Sequence, residues 1–98
     1  VAVAVQAASR TEGVTRKVDV TLTNPSNVPL LNTKLTLFTA AGVRVLLVYW
    51  SDNYVSLMPG ETRTVSADFD AAAGGRGALT LAVRAWNSPE RSVPVTAR

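Results

Sequence analysis

Whatever acid–base chemistry this sequence has must draw first on its seven carboxylates: Glu12, Asp19, Asp52, Glu61, Asp68, Asp70 and Glu90. Hydrolysing a glycosidic bond would need two of them facing each other across a substrate, about 5–9 Å apart. Most of them fall on outward strand positions or in turns, where no cleft is expected. Asp68 and Asp70 share a face at i, i+2 and could contribute to a calcium site. Calcium takes about 6–8 oxygen ligands, however, and two neighbouring carboxylates read instead as a solvated strand edge. There is no His and no Cys, which removes Ser-His and Cys-His nucleophiles, disulfides and nearly every zinc or haem site. Gly74–Gly77 (GGRG) lacks the Lys-Ser/Thr of a phosphate-binding loop and reads as a flexible hairpin connection. Asn24-Pro25-Ser26 is not a glycosylation acceptor, because Pro holds the excluded middle position. No catalytic, cofactor-binding or metal-binding residue is assigned, and no cofactor is expected.

Trp50, Tyr54 and Trp86 are the other residues with chemical potential, since exposed rings stacking on sugars would make a carbohydrate-binding module. The competing reading is packing, in a core or between domains, with indole N–H and phenol O–H groups finding partners at its rim. Aromatics are only 6% of the chain, so a small core has use for several of them, and packing is the reading adopted. Trp50 and Tyr54 bracket WSDNYVSLMPGE. Ser51, Asp52 and Asn53 can fold their short side chains back on the local backbone, with Asp52 the expected acceptor for nearby N–H groups. Pro59 presets φ at the first corner of a type II turn, Gly60 takes the positive φ at the second, and Glu61 leads into the next strand. Alternation puts Tyr49 and Trp50 on opposite sides of their strand. One of them should face the core, and the other a covering partner.

The elements that must position this stretch are strands. A period of two recurs along most of the chain, the signature of half-buried strands. Val1, Val3 and Val5 share a face; Val18, Val20 and Leu22 oppose Lys17, Asp19 and Thr21; Leu35 and Leu37 oppose Lys34 and Thr36. Val65, Ala67 and Phe69 alternate with Thr64, Ser66 and Asp68, and Leu79, Leu81 and Val83 point inward, followed by Val93 and Val95. RVLLVYW, residues 44–50, is apolar on both faces and is either buried or covered from outside. Reversals are expected at Asn24–Asn27, Ala41-Gly42, Pro59-Gly60, Gly74–Gly77 and Asn87–Pro89. Only Asp70–Ala73 could form a helical turn. About seven to eight short strands at this spacing predict an all-β, immunoglobulin-like antiparallel sandwich. Residues 1–98 are read as one domain, without repeat or linker.

Charge and termini narrow the function further. The net charge is +3 and the pI about 10.0, but the ten basic residues are scattered. They form neither a basic run nor an interleaved aromatic and basic platform, so no nucleic-acid partner is expected. No apolar run approaches the roughly 18 residues that cross a bilayer, so no membrane partner is expected either. The Val/Ala-rich start lacks the basic n-region of a signal peptide. A chain opening at Val1 without Met suggests a domain cut from a longer protein.

RVLLVYWSDNYVSLMPGETRTVSADF (Arg44–Phe69) resembles the C-terminal immunoglobulin-like domain of family 2 glycoside hydrolases. It looks closest to the exo-β-D-glucosaminidases, which act on chitosan, with β-mannosidases as more distant relatives. Those domains carry an aromatic-Ser-Asp-Asn-aromatic segment and a Leu-Leu-Pro-Gly-Glu turn. NPSNVPLLNTKLTL (Asn24–Leu37) also fits, while Leu47 stands where Pro is expected and Met58 where Leu is. The resemblance implies a non-catalytic accessory domain of a secreted, extracellular enzyme. Its catalytic carboxylates would lie on a separate TIM-barrel domain, and its polysaccharide would be met through the parent. Partners would be that barrel and the neighbouring sandwich domains, with Trp50, Ser51, Asp52, Asn53, Tyr54, Pro59, Gly60 and Glu61 as a structural or interdomain loop. A carbohydrate-binding module and a surface-scaffold domain remain as alternatives. A cationic domain repels cationic chitosan, and a scaffold has no need of the WSDNY segment.

Overall fold

Thr15–Thr23 (TRKVDVTLT) buries Val18, Val20 and Leu22 completely while the residues between them stay partly open. That alternation fixes the register of a sandwich in which each strand offers one face to a shared core. The structure, a computed structural model, describes residues 3–45, 48–74 and 78–97. The strands are β1 (Ala4–Glu12), β2 (Thr15–Thr23), β3 (Leu30–Phe38), β4 (Tyr49–Trp50), β5 (Val55–Leu57), β6 (Thr62–Asp70), β7 (Thr80–Ala85), β8 (Ser88–Pro94) and β9 (Thr96–Ala97). One 3-10 turn, Ala71–Gly74, stands where the Asp70–Ala73 helical turn was expected. No helix among the described residues is long and apolar enough to cross a membrane.

One sheet has the order β4-β6-β2-β1-β9 and the other β5-β3-β7-β8. The series β4-β6-β2-β1 against β3-β7-β8 is the arrangement of an immunoglobulin sandwich, with β5 added beside β3. The expected fold class therefore holds. All pairs are antiparallel except the two-residue β9, which runs parallel to β1.

The core joins Val18, Val20 and Leu22 to Leu35, Leu37, Val65, Ala67, Phe69, Leu79, Leu81, Val83 and Val95, as the alternation predicts. Val3 is buried and Val5 and Val93 pack on the cluster from its rim. Val1, Leu46, Leu47 and most of the GGRG loop lie outside the described residues.

Two local features depart from the expectations. β1 continues to Glu12 and turns at Gly13, whose φ of 62° only a residue without Cβ takes at no cost, so a hairpin links β1 to β2. The β7–β8 reversal is tighter than expected, at Trp86-Asn87, with Ser88 and Pro89 already in β8. Pro89 and Pro94 are tolerated there because β8 is an edge strand. A third feature was not foreseen. Pairing between β3 and β5 slips between Leu30 and Thr33, where Asn32 takes a φ of 50°. The bulge buries both Leu30 and Thr33 and leaves Leu31 facing out.

Candidate functional site: the inter-sheet corner and its aromatic rim

β4 belongs to one sheet and β5 to the other, so the four residues between them, Ser51–Tyr54, carry the chain across the edge of the sandwich. Ser51 is tied to the first sheet: its N–H donates to the Ser66 carbonyl at 2.7 Å, and its Oγ accepts from the Ser66 N–H at 2.9 Å. Asn53 is tied to the second. Its Oδ1 accepts from the Leu35 N–H at 3.0 Å and from the Tyr54 N–H at 2.9 Å, and its Nδ2 donates to the Leu35 carbonyl. The amide thus substitutes for a strand partner beside β3. Asp52 does not act as the expected backbone acceptor. Its carboxylate is exposed and, among the described residues, reaches only Arg63, at 3.8 Å. Bonding both the N–H and the carbonyl of Leu35 takes an acceptor and a donor, which the Asn53 amide has, whereas a carboxylate has no donor.

The Pro59-Gly60 corner is built as the sequence predicts. The Glu61 N–H donates to the Met58 carbonyl at 3.0 Å and Gly60 has a φ of 77°, the type II geometry. The Glu61 carboxylate closes the turn by accepting from the Met58 N–H at 2.9 Å, and it also accepts from Arg63 at 3.0 Å. The Met58 N–H and then Arg63 hold the Glu61 carboxyl below its ordinary pKa. Sequence reasoning missed the residue against which this corner is packed. Asn24, fully buried, donates to the carbonyls of Val28 and Leu57 and accepts from Ser26 through Oδ1. Its backbone exchanges bonds with Gly60 and Glu61. The Asn-Pro-Ser turn was visible as a reversal, but nothing in it signalled burial.

Of the aromatic residues, Trp50 packs on the core while its neighbour Tyr49 is exposed, the division that alternation demands. Tyr54 and Trp86 do not fill the core. They are 60% and 80% exposed, because aliphatic residues and Phe69 already occupy the space between the sheets. Tyr54 has a left-handed backbone, with a φ of 56°. It and Trp86 line one cavity of about 340 Å³ with Asn32, Lys34, Arg84 and Ala85. A second cavity, about 320 Å³, shares Lys34 and Tyr54 and extends to Arg44, Val48, Trp50 and Asn53. Asp68 and Asp70, the pair weighed for calcium, are engaged locally: Asp68 faces Lys17 at 3.6 Å and Asp70 accepts from the Ala72 N–H at 2.9 Å.

The sequence matches the family described as the exo-β-D-glucosaminidase Ig-fold domain over residues 1–88. The chain belongs to that family. It is 39% identical over 80 residues to an exo-β-D-glucosaminidase of Streptomyces avermitilis, covering 82% of this chain and 9% of that protein. A mannosylglycoprotein endo-β-mannosidase of Lilium longiflorum is 42% identical over 53 residues, 54% of this chain and 5% of that one. The crystal structure of the Amycolatopsis orientalis exo-chitosanase CsxA superposes with a TM-score of 0.91 at 34% identity, covering 96% of this chain and 11% of that one. The chain therefore corresponds to an Ig-fold domain spanning about a tenth of the length of these glycoside hydrolases.

Proposed function

We propose that this exo-β-D-glucosaminidase Ig-fold domain is a non-catalytic accessory domain of a secreted enzyme acting on chitosan. In this reading it packs on the TIM-barrel and sandwich domains of the same polypeptide. The observation that carries the reading is the match itself: almost the whole chain aligns, and it aligns with an Ig-fold segment that is 11% of a solved exo-chitosanase. The chemistry of the chain agrees with it. Every carboxylate except Glu90 is engaged by a neighbouring cation or backbone N–H, the use made of them by architecture rather than by acid–base catalysis. The Trp50–Glu61 stretch is a corner that joins two sheets, with Ser51 and Asn53 bonded to one sheet each and Glu61 closing the turn that follows.

A carbohydrate-binding role has one observation in its favour, the exposed pair Tyr54 and Trp86 around one cavity. Lys34 and Arg84 in the same cavity work against a cationic polysaccharide. The test is to express the complete coding sequence with and without the segment encoding residues 1–98. The complete polypeptide should be exported and should release glucosamine from chitosan oligomers. A complete polypeptide without that activity would remove the reading.

A further inference from the structure

Lys34 on β3 and Arg84 on β7 are directly opposed in the strand register. Like charges placed opposite each other destabilise a sheet, and no ion pair offsets them among the described residues. Neither side chain has an ion pair or hydrogen bond among the described residues, and the same holds for Arg44. The remaining described basic residues differ. Arg10, Lys17 and Arg63 pair with carboxylates, Arg16 donates to Ser9, and Arg91 donates to the Val3 carbonyl. All three of these cations line the two cavities along β3, which share Lys34 and Tyr54.

The same groove carries the exposed rings of Tyr54 and Trp86. Leu31, also exposed, lies beside Trp86, whose N–H donates to the Leu31 carbonyl at 2.9 Å. Tyr, Trp and Arg are the side chains enriched in protein interfaces, and cations without a partner on the free domain call for carboxylates across the interface. Two non-glycine residues with left-handed backbone, Asn32 and Tyr54, border it. Each is pinned: the Asn32 N–H donates to Ser56 Oγ at 3.1 Å, and the Tyr54 N–H to Asn53.

We infer that the groove running from Arg44 past Tyr54 and Lys34 to Arg84 and Trp86 is the surface by which this domain docks on a carboxylate-bearing face of another domain of its own polypeptide. The inference rests on the accessory-domain reading and adds to it which face is covered and by what chemistry. Charge complementarity selects an acidic occupant, and the large remainder of the relatives' chains provides a body to supply it. The opposite sheet is a poorer candidate. Its outward charges are already matched, with Arg10 on Asp19 and Lys17 on Asp68 around exposed Tyr49.

Hydroxyl-radical footprinting with mass spectrometry, on the 98-residue chain and on the complete polypeptide, tests this. Tyr54 and Trp86 should lose most of their modification in the complete polypeptide, while Tyr49 keeps it. Lys34→Glu gives a second arm. Opposite Arg84 it creates an attractive pair, so it should raise the unfolding midpoint of the 98-residue chain. In the complete polypeptide it should restore modification of Trp86. Protection of Tyr49 with Trp86 still reactive would overturn this docking face and leave the accessory reading standing. Protection of neither would overturn both. Saturable binding of glucosamine or galacturonate oligomers by the 98-residue chain, seen by calorimetry and lost in Trp86→Ala, would replace the docking surface with a sugar site.

Discussion

Asn53 and Asp52 are neighbours of similar size in the same loop, yet their contributions to stability should differ sharply. Asn53 bonds the β3 backbone in both directions, so Asn53→Ala strands the Leu35 N–H and carbonyl and should cost about 1–2 kcal/mol. Asp52 has only a long, exposed ion pair, so Asp52→Ala should leave the chain within about 0.5 kcal/mol of wild type. Urea denaturation of the two variants side by side checks the assignment. Glu61 supplies a pH-dependent counterpart. Its folded carboxyl titrates below the ordinary value of 4.5, so the stability it adds is complete above that pH and is lost as pH falls through the folded pKa. Glu61→Gln should therefore flatten the acid limb of a stability–pH profile and leave the neutral region less changed in shape. At this scale the sequence was legible only in part. The loop's residue types announced a turn, but which oxygen meets which N–H depends on β3 passing alongside, a contact 18 residues away in the chain.

Strands and turns were the most legible elements, for a physical reason: a buried face writes itself into the sequence at a period of two, and Val18–Leu22 or Val65–Phe69 admit no other register. Where the period breaks, legibility ends. The slip at Asn32 could not be read from LLNTKL, because the signal is a left-handed backbone rather than an apolar position. It has a measurable consequence. The bulge turns Thr33 fully inward, and its Oγ1 has no hydrogen-bond partner among the described residues. Thr33→Val keeps the shape and removes the desolvated hydroxyl, so it should be neutral or stabilising by about 1 kcal/mol. Thermal unfolding followed by circular dichroism reads the sign. The Pro59-Gly60 turn shows the opposite case, in which sequence alone was sufficient: Gly60→Ala meets no neighbouring atom but must hold a φ of 77°, and should cost about 1 kcal/mol.

On the scale of the whole molecule, the two sheets close one aliphatic core, and the charged and aromatic residues are distributed unevenly around it. One outer face is self-matched in charge; the β3–β7 face is not. Composition alone gave the excess of positive charge but not its arrangement, since Lys34 meets Arg84 only when β3 and β7 pair, and Arg44 joins them by bridging to Phe38 at the end of β3. The same limit explains the aromatic residues. Their small number suggested packing in a core or between domains; the aliphatic side chains proved enough for the core, and Tyr54 and Trp86 were left outside it. On the proposed reading, the domain as a whole is a folded piece of a hydrolase whose reacting groups lie elsewhere. A glucosamine-release assay on the purified 98-residue chain, with chitosan oligomers and aryl glycosides as substrates, tests that claim most directly. Release no faster than in buffer alone is expected; turnover abolished by replacing any one of the seven carboxylates would contradict a non-catalytic domain.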